Sequence, residues 1–154
     1  MALYFLDASA LVKRYVAENG TVFVTRVTNS GVPRKPWMAT IGAVEVMAAL
    51  YRRVNTGSLT SASARQAEQV FRSDLYHLFD SIDMKPSILA RAMSLAKLHI
   101  LRAYDAVQLA TAMELQINCR SLNLSPPILI SADQALNQAA LAEGLLVDEP
   151  NRYP

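Results

Sequence analysis

Five short apolar runs punctuate the chain: "LYFL" at 3–6, "PWMAT" at 36–40, "LFDSIDM" at 78–84, "ILISA" at 128–132 and "LLVDE" at 145–149. Each has the length of a β-strand. Between them, apolar positions recur at helical spacing. "ASALVKRYVAENG" and "TVFVTRVTNSG" predict helices ending at Gly20 and Gly31, where glycine can take the left-handed conformation that stops a helix. "TIGAVEVMAALYRRVNTG" predicts a further helix closed by its Asn-Thr-Gly turn, and the alanine-rich "SLTSASARQAEQVFRSDLYH" predicts the next. Pro86 suits the first turn of "PSILARAMSLAKLHI", and "AYDAVQLATAMELQ" and "DQALNQAALAEG" complete the set. Strands alternating with helices indicate βαβ units, hence an α/β domain with a mostly parallel sheet flanked by helices. No repeat interrupts the pattern, and "CRSLNLSPP" is the one linker-like piece. The expectation is a single domain over residues 1–154.

Composition narrows this picture. With 52% apolar residues in 154, there is enough material for one compact core. The opening "MALYFLDASALVKRY" has no basic n-region and reaches an aspartate at position 7, unlike a signal peptide, and no run approaches the roughly 20 apolar residues of a membrane span. Cys119 is the sole cysteine, so an intramolecular disulfide and a cysteine-rich zinc site are excluded. A cytoplasmic protein without membrane association is expected. The net charge of +2 is too mild to announce a nucleic-acid binder, but it is uneven: residues 1–60 carry seven Lys/Arg against three acids.

Four acids occupy places where acids need a reason. Asp7 directly follows the first strand, Asp133 follows "ILISA", Asp105 falls in the first turn of its helix, and Glu45 interrupts "IGAVEVMAAL" beside the apolar stripe. Each has a structural explanation: helix N-caps for Asp7 and Asp133, the helix dipole for Asp105, and an ion pair with a core-edge Arg or Lys for Glu45. Together they point further. In a parallel α/β sheet, all four places lie at the carboxyl edge of the strands, where ligands bind. Carboxylates converging there repel one another unless a cation holds them, and oxygen ligands without thiols or paired histidines select Mg²⁺ or Mn²⁺. The implied chemistry is phosphodiester hydrolysis by a metal-activated water.

These segments resemble the PIN-domain family, and specifically the VapC-type ribonuclease toxins of toxin–antitoxin pairs. "YFLDASALVKRYVAE" resembles the family's opening motif, "VEVMAAL" the second, "LRAYDAVQLATA" the third and "LISADQAL…AALAEGLLVDEP" the fourth, in order along nearly the whole chain. The resemblance implies a PIN-like domain with four or five parallel strands. It also implies a metal-dependent endoribonuclease, a homodimer, and a VapB-type antitoxin whose C-terminal segment covers the acidic groove. The acidic site becomes Asp7, Glu45, Asp105 and Asp133, with Ser9 and Ser131 as supporting hydroxyls. Ala8 stands where the family more often has threonine, and "ATIGAVE" lacks the serine frequently found ahead of the glutamate, leaving Thr40 as the nearby hydroxyl.

On this reading Lys13 and Arg14 can meet RNA phosphates, or simply form a solvated helix face. Arg102 is expected to pair with a carboxylate. A metal-independent ribonuclease wants two histidines, and His77 and His99 lie near no other motif. A phosphotransferase with Asp7 as nucleophile wants an acid two residues later, where Ser9 stands. The rival from another class is a catalytically silent PIN-like module that binds RNA or protein. Gathering uncompensated negative charge where a phosphate must approach argues against it.

Overall fold

The computed structural model describes residues 2–29 and 34–153. All five apolar runs form strands of one sheet: β1 (Tyr4–Leu6), β2 (Trp37–Ala39), β3 (Asp80–Ile82), β4 (Ile128–Ile130) and β5 (Leu146–Asp148). Every pairing is parallel, and the spatial order is β3-β2-β1-β4-β5. The chain steps outward from β1 through β2 to β3, then crosses back to β4 and β5. Its direction of travel therefore reverses between β1 and β4, and in open α/β sheets the crevice at that reversal is where ligands bind.

Side chains alternate across the sheet with period two. Phe5, Ala39 and Leu129 face one layer, made by α5 (Pro86–His99), α6 (Ala103–Ser121) and α7 (Gln134–Ala142). Leu6, Met38 and Ile130 face the other, made by α1 (Ala8–Leu11), α2 (Thr21–Thr28), α3 (Gly42–Asn55) and α4 (Ser61–His77). Both faces are covered, which is why the strands read as continuous apolar runs. Phe5, Leu6 and Ile130 are fully buried, and each such side chain stabilises the fold by about 1.5–3 kcal/mol. No helix among the described residues is long and apolar enough to cross a membrane.

Helix boundaries follow capping chemistry. The Thr60 hydroxyl accepts from the Ser63 amide at 3.1 Å and starts α4, while Pro86 opens α5 and Ile100, at φ +54°, closes it. Helix α6 runs five residues past the predicted Gln116, into the expected linker. Leu115 and Cys119, one turn apart, are both buried and carry the apolar stripe onward.

The stretch from Ala8 to Gly20 is not one helix. Helix α1 stops after four residues and tightens into a 3₁₀ turn over Val12–Arg14. Lys13 is buried, and its ammonium donates to the Asn19 carbonyl at 2.9 Å and pairs with Glu18 at 3.2 Å, which turns the chain back on itself. Gly20 ends no helix; at φ +88° it begins α2. Gly31, the other expected stop, lies outside the described residues. A Cβ on Gly20 would stand 2.8 Å from the Pro150 carbonyl oxygen as well as in a left-handed conformation. Gly20→Ala is therefore expected to cost about 1–3 kcal/mol in urea unfolding. A wild-type midpoint for this variant would show that the Gly20–Pro150 contact yields freely.

Candidate active site

Strand β1 runs straight into Asp7, the N-cap of α1. Its Oδ1 accepts from the Ala10 amide at 3.1 Å and from the Ser9 hydroxyl at 2.8 Å. The Ser9 oxygen in turn accepts from the Ala132 amide at 2.8 Å, and the Asp7 amide donates to the Ile130 carbonyl at 3.2 Å. One hydroxyl thus ties the end of β1 to the end of β4 at the reversal point. Beyond β4, the Ser131 hydroxyl accepts from the Asp133 amide at 3.0 Å, and Asp133 Oδ1 caps α7 through the Leu136 amide at 2.9 Å. Glu45, in the first turn of α3, accepts from Gln108 Nε2 at 2.7 Å across to α6. Asp105 lies in the first turn of α6.

All four acids line one cleft of about 560 Å³ at the carboxyl edge of the sheet, together with Ser9, Lys13, Glu18, Arg52, Arg53, Arg102 and Tyr104. A larger cavity of about 770 Å³ sits at the opposite edge, lined by Leu3, Trp37, Leu115 and Cys119 among others. It is mostly apolar and has a single acid, Asp80, beside Arg34 and Lys35, so the acidic cluster belongs to the smaller cleft.

The acids influence one another in series. Burial, with a contribution from the charge of Glu45, pushes the Asp7 carboxyl up to about 7 against the opposing bonds from Ser9 and Ala10. Burial also raises Glu45, opposed by the Gln108 bond and reinforced by the charge of Asp105. Asp105 is raised by burial and by the charge of Asp133, against Arg102. Among the described residues, none of the four has an ion-pair partner. Lys13 and Arg53 are turned instead to Glu18, Arg53 at 2.8 Å.

Several expected roles are placed elsewhere. Arg14 does not line the cleft; it pairs with Asp74 at 2.9 Å and donates to Thr28 at 2.9 Å. Thr40 donates to Asp83 at 2.7 Å, not to Glu45. The cationic partner expected for Glu45 is replaced by the neutral Gln108, and Arg102 acts on Asp105 through its charge without forming an ion pair. His99 is bonded to Glu143 at 2.7 Å. Gln108 itself was not anticipated. It stands three residues after Asp105 on the same helical face and is fully buried, and a glutamine inside an apolar stripe is the signal that marks it.

The donor set suits a hard divalent cation in kind, being all carboxylate. The hydrogen bonds to Glu45 and Asp133 each fall on a single oxygen, Oε1 and Oδ1, so the other oxygen of each is open to a ligand. No three His, Cys, Asp or Glu side chains among the described residues are already grouped to hold an ion. Mg²⁺ does not require such a cage, since it keeps several waters and takes one or two carboxylates plus substrate phosphate.

Burial of Asp7 predicts a pH dependence. In the unfolded chain the carboxyl ionises near 3.8, and in the folded protein near 7. Its contribution to stability is thus fully present below about pH 4 and is lost as pH rises towards 7, amounting to on the order of 4 kcal/mol. In EDTA, Asp7→Asn is expected to be more stable than wild type at pH 8 and to show a flatter profile between pH 4 and 8. Parallel urea-unfolding profiles for the two proteins would remove the buried-carboxylate account.

No protein-family model matches the sequence, and no curated protein matches it. Solved structures match in fold. A toxin–antitoxin complex from Klebsiella pneumoniae contains a chain 18% identical to this one, with a TM-score of 0.59 over 96% of this chain and 97% of that one. VapBC2 from Rickettsia felis, bound to a DNA fragment from the promoter, matches at 10% identity and a TM-score of 0.62, covering 96% and 98% of the two chains. VapBC-1 from nontypeable Haemophilus influenzae matches at 15% identity and 0.59, again covering 96% and 98%. At these identities the likeness is one of fold, and it agrees with the motif resemblance: the chain has a PIN-like fold, an all-parallel five-stranded sheet between two helical layers.

Proposed function

We propose that this protein is a Mg²⁺- or Mn²⁺-dependent endoribonuclease acting as the toxin of a toxin–antitoxin pair. The observation that carries the reading is the series Asp7, Glu45, Asp105 and Asp133, lining one cleft at the carboxyl edge with no cation among the described residues paired to any of them. Asp7, Glu45 and Asp105 are the residues to hold the metal, with Asp133 completing the site directly or through water. A bound ion supplies an activated water and offsets charge on the scissile phosphate. Ser9 and Gln108 orient Asp7 and Glu45, and Ser131 holds the turn that carries Asp133. The chain needs no covalent nucleophile for this reaction.

The partner follows from the same charge. A VapB-type antitoxin that brings a basic side chain to the acids can offset their repulsion in the metal's place. The toxin–antitoxin and VapBC names of the structural neighbours support such a partner, and a homodimer of the toxin is proposed with it.

Purified protein is expected to cleave single-stranded or loop RNA with Mn²⁺ or Mg²⁺ and to stop when EDTA is added. Gln108→Leu, which removes only the donor to Glu45, should lower the rate about 10–100-fold, and Glu45→Gln or Asp105→Asn at least as much. Undiminished cleavage in EDTA, or by Asp105→Asn, would refute the metal mechanism.

A further inference from the structure

The cleft is not uniformly acidic. Lys13 and Arg53 are both paired with Glu18, but two other cations at its rim have no such pairing. Arg52, in the last turn of α3, and Arg102, the N-cap of α6, are both exposed and have no ion-pair partner among the described residues. Between Arg102 and Asp105 stands Tyr104, which lines the same cleft with 52% of its surface exposed. An aromatic ring left open at the mouth of a cleft, flanked by an unpaired guanidinium and next in sequence to Asp105, suits a ligand with both a planar face and negative charge.

We infer that Tyr104 is the stacking platform for one base of the substrate, with Arg102 and Arg52 contacting the phosphates on either side of it. This deepens the ribonuclease reading and rests on it. Single-stranded nucleic acid carries a π-face and a phosphate at every residue, and an aromatic ring next to arginines is how proteins hold it without pairing the base. A duplex is disfavoured because its bases are already stacked on one another. A protein segment fits less well: an antitoxin that answers the acids must be basic, and the unpaired Arg52 and Arg102 repel it at the rim. The substrate is therefore a strand with an unstacked base beside the acidic centre, and the rim cations draw it in despite the carboxylates.

The test is fluorescence anisotropy with short labelled 2′-O-methyl oligonucleotides in Ca²⁺, strand integrity being verified on a gel. Tyr104 is exposed, so its variants should fold, and matched melting temperatures check this. Tyr104→Leu is expected to weaken binding about tenfold while Tyr104→Phe binds like wild type. An abasic position introduced at the stacked nucleotide should weaken wild type but not Tyr104→Leu. Arg102→Gln and Arg52→Gln should each flatten the dependence of log affinity on log salt by about 0.7, as loss of one phosphate contact does for a single strand. If wild type cleaves RNA yet Tyr104→Leu binds as tightly, or is weakened equally on intact and abasic strands, the stacking role is overturned and the nuclease reading stands. If wild type neither binds these strands nor cleaves RNA, the nuclease reading has failed and the stacking role goes with it. A variant that loses only a co-expressed antitoxin, with oligonucleotide affinity unchanged, assigns Tyr104 to a protein contact and overturns the inference.

Discussion

A carboxylate held out of water, with no cation among the described residues paired to it, is the constraint on which the rest of this molecule turns. Asp7 sits at the end of the central strand, where the chain's travel across the sheet reverses, and burial raises its carboxyl to about 7. The Ser9 hydroxyl and the Ala10 amide favour the charged form and only partly offset that burial. The same Ser9 oxygen receives the Ala132 amide from beyond β4. The hydroxyl that holds the acid in place therefore also ties the end of β1 to the end of β4, so the site and the middle of the sheet are one piece of structure.

Charge around that acid is sorted by position. The carboxylates run in series along the cleft, each raising the next, and two cations lining it, Lys13 and Arg53, are engaged by Glu18. Arg52 and Arg102 line the same cleft, exposed and without an ion-pair partner among the described residues. An acidic floor beneath a basic rim suits a polyanion that is to be held by its backbone and cut where a metal can offset its charge.

Helix α6 links these features. Its first turn presents Arg102, Tyr104 and Asp105 to the cleft, and its next turn sends Gln108 under Glu45. Its remaining length is buried against the sheet through Leu109, Ala112 and Leu115. The solvent-facing start of a largely buried helix is a rigid place for chemistry, because its backbone cannot shift without moving the core. The buried Gln108 shows the cost of this arrangement: Nε2 serves Glu45 while Oε1 has no partner among the described residues.

The sequence by itself determined the five strands, the alternation of strands and helices, and the placing of Asp7, Asp105 and Asp133 at strand ends or first helical turns. Those features depend on near neighbours: period-two and period-3.6 patterns, and caps that reach three residues along, as from Asp7 to Ala10 and from Asp133 to Leu136. The break after Leu11 was not legible in the same way, because the apolar pattern continues while Lys13 turns to Glu18 and Gly20 meets Pro150, a contact spanning almost the whole chain. Only the tertiary structure decided which acid meets which donor. Gln108 lies 63 residues from Glu45, Ala132 lies 123 from Ser9, and Arg14 is drawn to Asp74, 60 residues on. Such partners are chosen by strand order and by how each helix lies on the sheet, and no local period in a sequence encodes either.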